Sequence, residues 1–192
     1  MEQAMEYINY FQYNSVVILT YFFICLGVML IHQLTSGEST KHFFSTDSNS
    51  SLLNPITYVR FFTHVLGHGS WDHFMHNFLY ILLVGPMVEE KYGSYNLIIM
   101  FLITAVVDAV INKLFVKNTR TYGASGIVFM LIVLSSFVNF DNGKIPLTLV
   151  IILLFYIVDE IFKGLFKKDN VSHLGHILGG VCGLIFGFYF KW

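Results

Sequence analysis

Apolar and polar positions alternate along this chain in long blocks: extended apolar runs are separated by short polar punctuation. Six runs approach the roughly 20 residues a helix needs to cross a bilayer. Their approximate limits are 13–32, 72–90, 95–115, 123–140, 145–163 and 173–190. The pattern predicts an all-α membrane protein, a bundle of six transmembrane helices. Between the first two runs stands "QLTSGESTKHFFSTDSNSSLLNPITYVRFF". It is too long for a simple connector and aromatic at its end, so it is expected to form a long structured interfacial loop or a short re-entrant insertion. No internal repeat of about 20 to 50 residues is visible, and residues 1–192 read as a single transmembrane domain.

Composition agrees with the blocks. Hydrophobic residues make up 55% of the 192 and charged residues 12%, too little polar surface for a soluble domain. A net charge of −1 without a basic block excludes a nucleic-acid-binding surface. Cys25 and Cys182 each lie inside an apolar run, where helix packing is the default role. The acidic start "MEQAMEYINY" lacks the basic region and cleavage site of a signal peptide, so the first run is expected to be retained. The expected location is the cell membrane, as a multi-pass protein in contact with lipid. Six spans put both termini on one side. With that side cytoplasmic, the inner loops and tail hold Lys91, Lys144 and Lys191. The outer ones hold Lys41, Arg60, Lys113, Lys117, Arg120, Lys163, Lys167 and Lys168, and the positive-inside tendency favours the opposite orientation.

Polar groups inside spans are costly and usually functional. Six of the eight histidines fall in two clusters, "THVLGHGSWDHFMHN" and "VSHLGHILGG". Spans two, four and six run in the same direction, so their N-terminal ends share one face of the membrane. His73 and Asn77 sit early in span two, Ser125 starts span four and His176 lies near the start of span six. Asp72, Arg120 and Asp169 mark the interface just before them, which places all four residues a turn or two below it. His73 and Asn77 are i and i+4 and share a helix face. In span six Gly179, Gly183 and Gly187 recur every four residues with Gly180 beside them, a small-residue stripe that admits close helix approach. The small patch Gly123, Ala124, Ser125 and Gly126 matches it, and contact of the two would bring His176 within reach of Ser125.

That constellation has a chemistry. A serine hydroxyl is a weak nucleophile until a base activates it, and His176 is the base within reach. A serine at a helix start also lies beside unbonded backbone N–H groups and the positive end of the helix dipole. His73 and Asn77 would add donors for an oxyanion. The pairs His73/His76 and His173/His176 have ligand-like spacing, but there is no HExxH, no thiolate near them and no carboxylate at ligand spacing within span six, so no metal ligand and no cofactor is assigned. His64 and His68 read as solvated or hydrogen-bonded structural residues, and Asp108 as a near-interface or helix-contact residue. Glu89 and Glu90 with Lys91 read as interfacial anchors or caps, and Asp159 with Lys163 as an i, i+4 pair.

These residues resemble the rhomboid family of intramembrane serine proteases. Its GxSG motif matches Gly123 to Gly126, and its HxxGxxxG motif matches His176, Gly179 and Gly183. The family's two histidines and an asparagine in the second span are similar to His68, His73 and Asn77. Arg60 looks like the arginine of a WR motif whose tryptophan is here Val59, and Glu89 with the following "KYGS" resembles the ExxxGS turn. Phe129 stands one turn after Ser125, where the family often has a tyrosine packed on the histidine. The likeness runs from about residue 56 to the end. It implies a rhomboid-like bundle of six transmembrane helices with a cytoplasmic N-terminus and a centre opening outward. It also implies a serine endopeptidase with a Ser125–His176 dyad, His73 and Asn77 on the oxyanion side, and transmembrane proteins as substrates. Span five, whose apolar run "PLTLVIILLFYIV" is short, is the expected mobile wall beside span two. A rhomboid-like pseudoprotease that only binds membrane segments, and a histidine-based metal or ion transporter, are the alternative readings.

Overall fold

The computed structural model describes residues 12–139, 144–166 and 172–190; within the fifth long helix the side chains of 157, 159–161 and 163–166 lie outside this description. The expected pair Asp159 and Lys163, and the marker Asp169, therefore lie outside the described residues. The chain is mostly helical. In order come α1 (Val16–Leu34), α2 (Glu38–Phe43), β1 (Thr46–Asp47), α3 (Pro55–Thr63), a 3-10 turn (His64–Leu66), α4 (Trp71–Tyr92) and α5 (Ser94–Phe115). Then follow β2 (Arg120–Thr121), α6 (Ser125–Ser135), α7 (Leu147–Phe166) and α8 (His173–Tyr189).

Each of the six apolar runs holds one long helix or part of one, but the helices are not equivalent as spans. By length and composition, α1 and α5 are long and apolar enough to cross a membrane. α4 is long but carries the histidines and the charged end "EEKY", while α6 and α8 are apolar and shorter. The expected span at 123–140 is the clearest revision. Its α-helix has 11 residues and rises about 16 Å, half the thickness of a hydrocarbon core. Beyond it, residues 136–138 bond back three positions rather than four, the tight winding that closes a helix.

α6 is apolar all round and sits in the middle, buried on nearly every face. It packs most extensively on α8, then on α4, with α5 and α7 also touching it. The small-residue stripe makes the α8 contact: a Cβ on Gly179 would overlap the Gly126 carbonyl, and one on Gly183 would stand 2.6 Å from the Met130 carbonyl oxygen. Large apolar side chains such as Leu83 and Phe155 point outward instead, as lipid contact requires.

Local sequence explains the helix ends. Ser70 caps α4, accepting from the His73 N–H at 3.2 Å, and Gly93 (φ 79°) ends it in a conformation suited to glycine. Glu89 is a cap in trans. Its buried carboxylate accepts from Ser15 Oγ and from the N–H groups of Val17 (3.0 Å) and Ile18 (3.1 Å) at the start of α1, and from Ser94 Oγ at 2.6 Å. It thus ties α1 to the α4–α5 turn.

The long loop is structured. α2 packs on α1 and α3, α3 also packs on α5, and β1 pairs antiparallel with β2, Thr46 opposite Thr121 and Asp47 opposite Arg120. Arg120 donates to Asp47 at 2.9 Å, and Lys113 donates to Ser50 Oγ at 3.1 Å. No strand was expected here, because two-residue strands are too short to carry an alternating pattern. Their effect is to clamp the loop to the segment that leads into Ser125.

Candidate functional site

Gly123 is the hinge of the site. Its φ of +127° is open to glycine alone, and a Cβ there would stand 2.7 Å from His73 Cε1 and 2.8 Å from Nε2. The His73 ring therefore lies directly over the backbone two residues before Ser125. The Gly123 N–H donates to the His64 carbonyl at 3.0 Å, which holds the approach to α6 in place. Asn77 joins from the next turn of α4: its Nδ2 would stand 3.9 Å from the same Cβ. That amide nitrogen is buried and has no hydrogen-bond partner among the described residues. An unspent donor in a buried position is costly unless something else uses it.

Ser125 is the first residue of α6, partly buried, at the end that carries unbonded N–H groups. Phe129 lies one turn on, on the same helix face. Its ring packs against the His176 ring at 4.4 Å between centroids. His176 lies in the first turn of α8, whose N-cap Ser172 accepts from the Gly175 N–H at 3.3 Å. The fold thus seats His73 and Asn77 against Gly123, and packs His176 on Phe129, one turn after Ser125.

The remaining candidates are accounted for differently. His64 and His68 are buried rather than solvated. His64 donates from Nε2 to the Ala105 carbonyl at 3.1 Å, and its Nδ1 stands 3.9 Å from Asp108. Asp108 is a helix-contact residue, as expected: its carboxylate accepts from Asn112 at 2.7 Å and abuts Gly175 of α8. His68, in the loop before α4, places its ring edge-on to His73 at 5.1 Å. Burial, with His73 alongside, pushes its pKa down to about 3, so it is neutral. His76 hydrogen-bonds the Asp72 carbonyl at 2.7 Å, local to its own helix. Arg60 donates from Nε to the His42 carbonyl at 2.7 Å, fastening α3 to α2.

One residue was not anticipated. Tyr156 of α7 stacks on Phe129, with centroids 4.1 Å apart and planes inclined by 27°. It sits in the uninterrupted apolar run "PLTLVIILLFYIV", where no spacing or polar neighbour singles it out.

Comparison with known proteins bears on these features. Residues 55–192 match the Rhomboid domain. The chain is 26% identical over 161 residues to Rhomboid-like protein 11, chloroplastic, of Arabidopsis thaliana, covering 75% of this chain and 58% of that protein. It is 30% identical over 126 residues to RHOMBOID-like protein 4 of the same plant, covering 63% of this chain and 31% of that protein. It is 25% identical over 132 residues to Rhomboid protease GlpG of Haemophilus influenzae, covering 67% and 68% respectively. The chain thus spans well under two thirds of the two plant relatives.

Proposed function

The chain belongs to the rhomboid family, which includes intramembrane serine proteases acting on membrane proteins, and from that membership and the site geometry we propose that it is an intramembrane serine endopeptidase. In this reading residues 1–192 form a single rhomboid-like domain of six membrane-spanning segments, in the cell membrane, with its N-terminus cytoplasmic and the site opening outward. Its substrates are proteins with a transmembrane segment. The observation that carries the reading is the convergence of His73 and the unspent Asn77 amide on the backbone before Ser125. The Asn77 amide nitrogen serves no hydrogen bond among the described residues, and its nearness with His73 to Gly123 supports an oxyanion-binding role for the pair.

The steps follow from these positions. The unprotonated His176 ring accepts the Ser125 proton as Oγ attacks the scissile carbonyl. The Ser125 N–H, His73 and the Asn77 amide hold the negative charge of the tetrahedral intermediate. His176 then protonates the leaving amine; in the second half it takes a proton from the water that attacks the acyl-enzyme and returns it to Ser125 Oγ as the acid product leaves. The tilted contact with Phe129 restricts the His176 ring without supplying a hydrogen bond, as befits a residue that must exchange protons in both directions. The test is cleavage of a panel of single-span substrates by the purified protein in liposomes, alongside fluorophosphonate labelling. Wild type is expected to cleave and to be labelled, and Ser125→Ala to do neither. Absence of both activities in folded wild-type protein overturns the reading, and metal bound in stoichiometric amount through His73 and His176 would favour transport instead.

A further inference from the structure

Tyr156 has no place in the mechanism above, yet it joins a chain of ring contacts drawn from three helices. Phe129 of α6 is common to both contacts, tilted against His176 of α8 at 4.4 Å and stacked with Tyr156 of α7 at 4.1 Å. The Tyr156 hydroxyl oxygen is itself buried. A phenylalanine held by a tilted histidine alone could swing about its side-chain torsions; a second ring stacked on it restricts that freedom. We propose that Tyr156 is a positioning residue for His176, acting through Phe129, and that it makes the orientation of the base depend on where α7 stands. This rests on the protease reading of Ser125 and His176.

The surroundings of the stack give the dependence its direction. Tyr156 also lines an open apolar groove between α6 and α7 with Ile132, Ile151, Ile152 and Phe155. α7 contributes no residue to the main core cluster among the described residues. It is joined to α6 through a small separate cluster of Leu149 with Val133 and Phe137. α8 also meets this cluster, through Leu184. A shift of α7 relative to α6 moves Tyr156 away from Phe129 while the backbone contact of α6 with α8 at Gly179 and Gly183 stays in place.

The experiment uses the full chain in detergent micelles and two readouts. The first is the rate at which a soluble fluorophosphonate labels Ser125, which needs an oriented base but no transmembrane substrate. The second is the Cε1 resonance of His176 in histidine-labelled protein, assigned by its loss in His176→Gln. Tyr156→Leu is expected to slow labelling about tenfold and move the resonance, while Tyr156→Phe, which keeps the ring, stays within about twofold of wild type on both. Should Tyr156→Leu not fold, Tyr156→Met, which keeps the volume and loses the stack, replaces it. On a Phe129→Leu background the Tyr156 change is expected to add less than about twofold, since the link between them is already gone. An unmoved resonance with wild-type labelling in Tyr156→Leu overturns the proposal, as does a full additional loss in the double variant. If wild type shows no Ser125 labelling at all, the protease reading falls, and the His176 resonance alone decides: a shift supports the positioning role and no shift overturns it.

Discussion

The α6–α8 seam and the attachment of α7 to the same two helices solve one packing problem in opposite ways. At the seam, glycine removes the side chains so that backbone meets backbone: Gly179 against the Gly126 carbonyl, Gly183 against that of Met130. Such a contact leaves nothing to rearrange, and its dispersion attraction falls off over fractions of an ångström. α7 instead touches through side-chain ends, Leu149 against Val133 and Phe137, with Ile152 and Leu153 only partly covered. Side-chain ends can yield where a backbone contact cannot. The difference sets a seam that admits no added atom, on the helices that carry Ser125 and His176, against a softer contact beside it.

The contrast is broken most directly by adding a side chain at the seam. Gly179→Val is expected to cost roughly 3 kcal/mol or more, because the backbone carbonyl it meets cannot yield. Leu153→Ala on α7 is expected to cost about 1 kcal/mol. Unfolding curves in detergent measure both, and equal costs would erase the distinction between seam and wall. At the hinge, Gly123→Ala puts a methyl into the His73 ring and strains the backbone. Cleavage is expected to fall about a hundredfold with folding largely kept, the scale of losing one oxyanion donor. A near wild-type rate would remove His73 from the site.

A smaller effect tests the mobile wall. A verified chemical cross-link between α4 and α7 is expected to slow cleavage of a transmembrane substrate about tenfold while a soluble fluorophosphonate still labels Ser125. Unchanged cleavage with the link in place would show that substrate enters elsewhere. Smallest is the loop clamp. Burial works to raise the Asp47 pKa, but the Arg120 hydrogen bond, the Asn49 N–H and the charges of Arg120 and Arg60 together hold it below the ordinary carboxylate value. A depressed folded-state pKa stabilises above the unfolded value and is lost as pH falls through the folded one. Asp47→Asn is therefore expected to cost about 0.5 kcal/mol near neutral pH and nothing once wild-type Asp47 is protonated, as parallel melts would show.

Much of the site was legible before any coordinates. Ser125 at a helix start, the i, i+4 relation of His73 and Asn77, and the four-residue glycine period of α8 are local patterns whose geometry follows from helix pitch. The neighbourhood of His64 was not, because a histidine in a loop carries no sign of the Ala105 carbonyl or the Asp108 carboxylate that will meet it. Span four was read too long for a related reason: apolar character continues to residue 138, while the helix itself closes at Ser135. The basic loops, too, gain a use invisible in a charge count. Lys113, Arg120 and Arg60 each donate to a partner in the long loop.

By itself, the sequence determined the helical blocks, the face on which the polar residues gather and the small-residue stripe. All of these depend on spacing within one helix, which the backbone geometry converts into direction. Only the tertiary structure decided which rings and donors meet. The seating of His73 over Gly123, the Glu89 cap on α1 and the Tyr156–Phe129–His176 stack each join residues from different elements. Their contacts follow from how closely two helices approach, and that distance is set by side-chain volumes on both sides of an interface that no single stretch of sequence contains.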